Sequence, residues 1–228
     1  MELVDLVDSK SSALGRVGSN PTCGTTSSFK LILKTLYYNY FCSIKIEYLL
    51  TYRNIMKLVV AITGASGVEL GIKFIEYLPK DIEIHLITSN NALTVNHFEK
   101  SNITFHNNSN IAASIASGSF KVDATAVIPC SMNSLAKIAC GIADNLVTRV
   151  ASVALKEQKK LLLAPRELPF SAIALENMEK LAKLNVVIAP PVMGYYSESQ
   201  TIQDMERFII GKWYDILGIE NNLYERWR

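Results

Sequence analysis

The sequence predicts an α/β fold, a three-layer doubly wound parallel sheet of the Rossmann-like or flavodoxin-like kind. Three observations carry that prediction. Short runs of β-branched and small apolar residues alternate with segments of helical periodicity. Each run closes in a turn rich in Gly, Pro, Ser or Asn. The residues with chemical character stand just after those runs, where an open parallel sheet binds its ligands.

The first unit is "KLVVAITGASGVELGIKF", residues 57–74, which reads as strand, tight turn at Gly64 to Gly67, then helix. "IEIHLITSNN" follows, with Ile82, Ile84, Leu86 and Ile87 forming a second strand that closes at Ser89. "ATAVIPCSMNSLAKIACG" repeats the strand, turn and helix with a Pro-Cys-Ser-Met-Asn loop. "KKLLLAPRE" and "NVVIAPPVMGYY" are two further buried strands, each ending in proline. Gly64 to Gly67, Ser89, Cys130 to Ser134, Arg166, Glu167, Tyr195 and Tyr196 are therefore expected on one rim.

Composition narrows the class. With 228 residues, 49% hydrophobic and 19% charged, the chain suits one well-buried domain. A formal charge of +2 argues against a nucleic-acid or membrane-surface protein. Four cysteines form no CxxC pair and three histidines make no metal-ligand spacing, so a reduced cytoplasmic protein without a metal is expected. No apolar run is long enough to span a bilayer, and the first residues lack a secretion pattern.

Residues 1–55 do not match the rest. Residues 1–29 are rich in Ser, Thr, Gly and Asn, and an apolar, aromatic and basic run without turn signals follows. "SKSSALGRVGSNPTCGT" resembles the in-frame translation of the 3′ half of a transfer-RNA gene. The expectation is an N-terminal extension, disordered or arising from a start assigned too far upstream, and a functional domain over 56–228. Met56 stands directly before the first strand.

The glycine turn is a phosphate cradle. A dinucleotide site wants G-x-G-x-x-G and an acidic residue closing the next strand, whereas this loop has Gly64 and Gly67 only and the second strand closes with Thr88-Ser89. The P-loop pattern is also absent. A monophosphate held by Ser66, backbone amides and further hydroxyls fits better, which points to FMN rather than NAD or ATP.

Six separated blocks then become recognisable in order: "AITGASG", "ASGSF", "CSMNSLAKIACGIADNLVTRVASVALKE", "LLLAPRELPFSAIALENM", "PPVMGYYSESQ" and "TIQDMERFIIGKWYDILGI". Together they resemble the UbiX/Pad1 family of flavin prenyltransferases over nearly all of 56–228. The resemblance implies a homo-oligomer, usually a dodecamer, that works without a metal. It binds FMN, reduced as co-substrate, and a prenyl phosphate, commonly dimethylallyl phosphate. It implies transfer of a dimethylallyl group to N5 and C6 of the flavin, giving prenylated FMN, the cofactor of UbiD-type decarboxylases in ubiquinone synthesis or aromatic-acid decarboxylation.

Carried over by position, the resemblance implies that Gly64, Ala65, Ser66 and Ser89 hold FMN. Ser131, Met132, Asn133 and Ser134 form the flavin-proximal loop, with Arg149 and Arg166 near the cofactor. Glu99, Lys156, Arg166, Glu167, Tyr196 and Lys212 form the prenyl-phosphate and acid-base set. Lys212 stands where many members have arginine, which keeps the charge and loses the bidentate fork. Ile111 stands where some members have a tryptophan near the flavin, and can wall a pocket without stacking.

The residue types suit the chemistry. Cleaving an allylic C–O bond puts negative charge on the departing phosphate, which Lys156, Arg166, Lys212 and the Tyr196 hydroxyl could meet. Ring closure needs a proton moved, for which Glu167 and Glu99 are the candidates. Simpler roles compete: Ser66 as a helix N-cap, Arg166-Glu167 as a surface ion pair, Tyr195-Tyr196 as packing, Cys130 and Cys140 as small core residues, and His85 as structural. Two other functions share the fold. An FMN-dependent cysteine decarboxylase needs a catalytic histidine and a Pro-x-Met-Asn loop where this chain has "PPVMGYY", and a flavin carrier would leave Glu167, Tyr196 and Lys212 without a task.

Overall fold

The computed structural model describes residues 55–64, 66–89, 102–197 and 200–226. Residues 55–228 form one compact unit by backbone proximity, and it is the unit described. Six strands make one all-parallel sheet: β1 (Lys57–Ile62), β2 (Glu83–Thr88), β3 (Ile103–Asn107), β4 (Ala124–Cys130), β5 (Lys160–Pro165) and β6 (Val187–Ile188). Their order, β3-β2-β1-β4-β5-β6, is that of the Rossmann sheet, with its reversal of direction between β1 and β4. Helices α1 (Val68–Glu76), α2 (Met132–Ala139), α3 (Leu146–Lys156), α4 (Ala172–Ala182) and α5 (Ile202–Leu217) cover it.

The two-residue period of the strands sorts their side chains into two cores. Leu58, Val60 and Ile62 of β1 and Ala126 and Ile128 of β4 join Phe74, Ile75, Ile209, Trp213 and Tyr214 of α1 and α5. Val59, Ala61, Val127, Cys130 and Leu163 point the other way, into Leu135, Leu146, Val150 and Leu181 of α2, α3 and α4. Both faces of the central strands are dry, which is why these runs read as continuously apolar. Gly71 lets α1 settle on the sheet, since a Cβ there would lie 2.5 Å from the Ile128 carbonyl oxygen. Trp213 Nε1 donates to the Ala189 carbonyl at 3.0 Å, and Lys73 pairs with Glu206 at 2.6 Å, tying α5 to the loop after β6 and to α1.

Two edges differ from expectation. β3, "ITFHN", has no apolar run: Thr104 and Phe105 are exposed on the sheet margin, so its signal is weak. β6 is a two-residue strand with Val187 exposed, shorter and less buried than "NVVIAPP" suggests. Among the described residues no helix is long and apolar enough to cross a membrane.

Candidate functional site

The loops after β1 and β4 meet where the strand order reverses, and Thr63 joins them. Its hydroxyl donates to the Pro129 carbonyl at 2.8 Å and accepts from the Ser131 amide at 2.8 Å, while its own amide reaches the Pro129 carbonyl at 3.3 Å. Thr63 is buried, and nothing in its residue type marks it out beyond being the first polar position after an apolar strand. The neighbouring Gly64 sits against Ser89, whose Oγ lies 3.7 Å from where a Cβ of Gly64 would stand. The first two strands thus bring Gly64 and Ser89 together.

Ser66 does not cap the helix that follows it. The N-cap of α1 is Gly67, in the left-handed region at φ 105°, with no side-chain cap hydrogen bond. Glycine tolerates this conformation and offers no side-chain acceptor to the first turn, where the Leu70 amide donates to the Gly67 carbonyl at 3.0 Å. The contrast with α2 is direct. There Ser131 caps by accepting from the Ser134 amide at 3.2 Å and donates its hydroxyl to Ser134 Oγ at 3.0 Å. Met132 is partly buried and Asn133 exposed on that first turn.

Two buried polar atoms have no hydrogen-bond partner among the described residues: Ser89 Oγ and Arg166 Nε. Both follow the carboxyl end of a strand, β2 and β5. A buried donor or acceptor without a partner costs about 1–3 kcal/mol, so native proteins meet such an atom with a ligand or an ordered water. Arg166 and Glu167 do not form the surface ion pair that adjacency suggests. Arg166 is partly buried, and Glu167 is exposed and accepts from the Leu168 amide at 3.2 Å.

The remaining candidates separate. Arg149, on α3, is exposed and donates from Nε to the Ala116 carbonyl at 3.3 Å, anchoring the short 3₁₀ turn at 114–116. Lys156 ends α3 just before β5 begins, and so lies at the amino edge of the sheet, where it pairs with Glu157 at 2.6 Å beside Gly118. Within one chain it is not brought to the carboxyl rim. Tyr196 lies on the 3₁₀ turn 195–197 past β6, edge-on to Phe208 at 5.6 Å, and Lys212 is exposed one turn further along α5. Ile111 is 55% exposed. Ala65 and Glu99 lie outside the described residues.

Burial pushes the Cys130 thiol up to about 12, so it stays protonated at neutral pH and acts as a small core side chain. Cys140 is exposed just past α2, not in the core. Among the described residues no group of three or more His, Cys, Asp or Glu could hold a metal ion.

The Flavoprotein family model matches residues 48–214. Flavin prenyltransferase UbiX of Helicobacter pylori J99 is 52% identical over 185 residues, 75% of this chain and 98% of its own length. The dodecameric FMN-dependent UbiX-like decarboxylase from Escherichia coli O157:H7 superposes with a TM-score of 0.70 at 39% identity, over 76% of this chain and 100% of that one. The AnUbiX complex with FMN and dimethylallyl pyrophosphate does so with a TM-score of 0.71 at 37% identity, over 76% and 97%. With this sheet order, this rim and this similarity, the chain belongs to the UbiX family of flavin prenyltransferases.

Proposed function

We propose that this protein transfers a dimethylallyl group from dimethylallyl phosphate to N5 and C6 of reduced FMN, releasing prenylated FMN for UbiD-type decarboxylases. The observation that carries the reading is the pair of buried, unpartnered polar atoms on the rim, Ser89 Oγ and Arg166 Nε. They fit an anionic, hydrogen-bonding ligand on the rim, one strand to either side of the point where the strand order reverses. The uncapped start of α1, with Gly64 and Ser66 before it, supplies amides and a hydroxyl for the FMN phosphate. The loop from Ser131 to Ser134, stitched to β1 through Thr63, and the side chains of Arg149 and Arg166 would border the flavin.

Reduced flavin supplies the electron-rich ring atoms. The protein's part is charge and proton management. As the donor C–O bond breaks, its electron pair goes to the phosphate oxygen, and Arg166, Lys212 and the Tyr196 hydroxyl stabilise the charge that develops there. Closing the ring at C6 uses the prenyl double bond, so one proton is delivered to the neighbouring prenyl carbon and one is taken from flavin C6. Glu167, exposed at the rim, handles that transfer, with Glu99 as the other candidate. Lys156 stands at the opposite edge of the sheet, so its role requires a second copy of the chain. Homo-oligomerisation is supported by the dodecameric Escherichia coli relative, and by Leu168, Ile173, Val192, Met193 and Tyr195, which leave large apolar side chains open to solvent.

The test is phosphate release. Incubated with dimethylallyl phosphate, the protein is expected to release inorganic phosphate only when reduced FMN is present. Release without flavin would make it a phosphatase, and no release of phosphate from the monophosphate donor or of pyrophosphate from the pyrophosphate donor would remove prenyl transfer.

A further inference from the structure

We propose that Tyr224, in the segment that folds back after α5, is a positioning residue for the donor-binding side chains Tyr196 and Lys212. The inference rests on the prenyl-transfer reading above. Phe208 stands between two tyrosine rings. It meets Tyr196 edge-on at 5.6 Å and 87°, and Tyr224 at 5.2 Å and 76°. Lys212, four residues after Phe208 on the same face of α5, lies with Nζ 5.9 Å from the centre of the Tyr224 ring. One aromatic side chain from outside the helix therefore contacts Phe208, against which Tyr196 packs, and Lys212 itself.

Two glycines make room for this arrangement. A Cβ on Gly211 would lie 2.4 Å from Tyr224 Cδ1, and one on Gly194 would lie 2.7 Å from Phe208 Cε1. Neither ring could seat as it does with a larger residue beneath it. The segment is then fixed at Asp215, which accepts from the Tyr224 hydroxyl, from Arg226 through Nη2 at 2.7 Å and Nη1 at 3.1 Å, and from Asn221 Nδ2 at 2.9 Å. Arg226 also covers the Tyr224 ring at 5.3 Å. Tyr196 and Lys212 are exposed, so a fixed ring beside each lowers the ordering cost of gripping a phosphate.

A positioning role separates from plain packing by which ligand is lost. In steady-state assays with reduced FMN, Tyr224→Ala is expected to raise the KM for dimethylallyl phosphate roughly tenfold, the scale of an aromatic pair plus a cation–π contact, while FMN affinity stays unchanged. Tyr224→Phe keeps the ring and is expected to stay within about twofold of wild type. If Tyr224→Ala does not fold, Arg226→Gln decides, because Arg226 is exposed and its loss loosens the segment without opening the core. A raised donor KM in Arg226→Gln supports the proposal. An unchanged donor KM in a folded variant, or equal loss of FMN and donor binding, overturns it. Wild-type protein that forms no product at all would instead overturn the prenyl-transfer reading and this inference with it.

Discussion

Thr63 and Ser131 are joined by a 2.8 Å hydrogen bond from the Ser131 amide to the Thr63 hydroxyl, which in turn donates to the carbonyl of Pro129 at 2.8 Å. One buried side chain thus locks the two loops that border the reversal of strand order. Thr63→Val keeps the shape and removes both bonds, leaving the part-buried Ser131 amide without its acceptor at a cost of about 1 kcal/mol or more. Chemical denaturation is expected to show that loss, and flavin titration a weaker FMN affinity. Unchanged stability would mean the loops hold without the stitch.

Ser89 offers the opposite pattern. Its hydroxyl oxygen is buried without a partner among the described residues, so Ser89→Ala removes an unmet group and should leave flavin-free stability unchanged or slightly raised. If the hydroxyl serves the flavin, FMN affinity falls by roughly the 0.5–1.5 kcal/mol of a net hydrogen bond. Equal FMN affinity in the two proteins would take Ser89 out of the site.

Glu167→Gln preserves size and cannot ionise. FMN and donor binding are expected to persist while turnover falls by roughly 10²- to 10⁴-fold, the usual scale of lost acid–base catalysis. Near-normal turnover would transfer the proton to Glu99 or to the departing phosphate.

A second polar cluster sets a pH dependence. His85 Nε2 lies 3.0 Å from Glu83 Oε1 and His85 Nδ1 lies 3.0 Å from His106 Nε2, while Lys57 pairs with Glu83 at 2.8 Å and sits over Phe120. Burial holds both imidazoles below their ordinary 6.5, and the charge on His85 further lowers His106. The unfolded chain then binds more protons than the folded one, so the contribution is full above pH 6.5 and is lost as pH falls through the folded values. Glu83, lowered chiefly by its hydrogen bond from Lys57, loses its share further down, below its ordinary 4.5. The unfolding midpoint should drop on acidification from about pH 7 to pH 5.5, and His106→Asn should flatten that slope. A midpoint flat over this window would contradict the cluster's role.

The N-terminal 55 residues are proposed to be dispensable for folding and flavin binding, on their break in composition and pattern. A chain begun at Met56 is expected to be soluble and to bind FMN. Insoluble or flavin-free protein from that start, alongside flavin-binding full-length protein, would make the extension part of the working molecule.

Much of this was legible in the sequence because the central strands are buried on both faces. β1, β4 and β5 announce themselves as continuous apolar runs, and the glycine turn and Ser89 follow directly from where those runs stop. β3 was not legible, since an exposed edge strand has no such run. Thr63 is a common residue made important only by the loop it touches across the sheet. Lys156 lies within a readable helix, but that helix ends just before β5 begins, so Lys156 falls at the amino edge of the sheet, away from the rim in a single chain. Tyr224 and Arg226 come after the last helix, and their contacts with Phe208, Lys212 and Asp215 exist only once the segment folds back.

The central claim is tested most directly by weighing the flavin. Purified protein is incubated anaerobically with reduced FMN and dimethylallyl phosphate, and the flavin is released and measured by mass spectrometry. The account predicts FMN heavier by one five-carbon prenyl unit, in a yield that requires both ligands and the protein. FMN recovered at its original mass, with the donor intact, would contradict it.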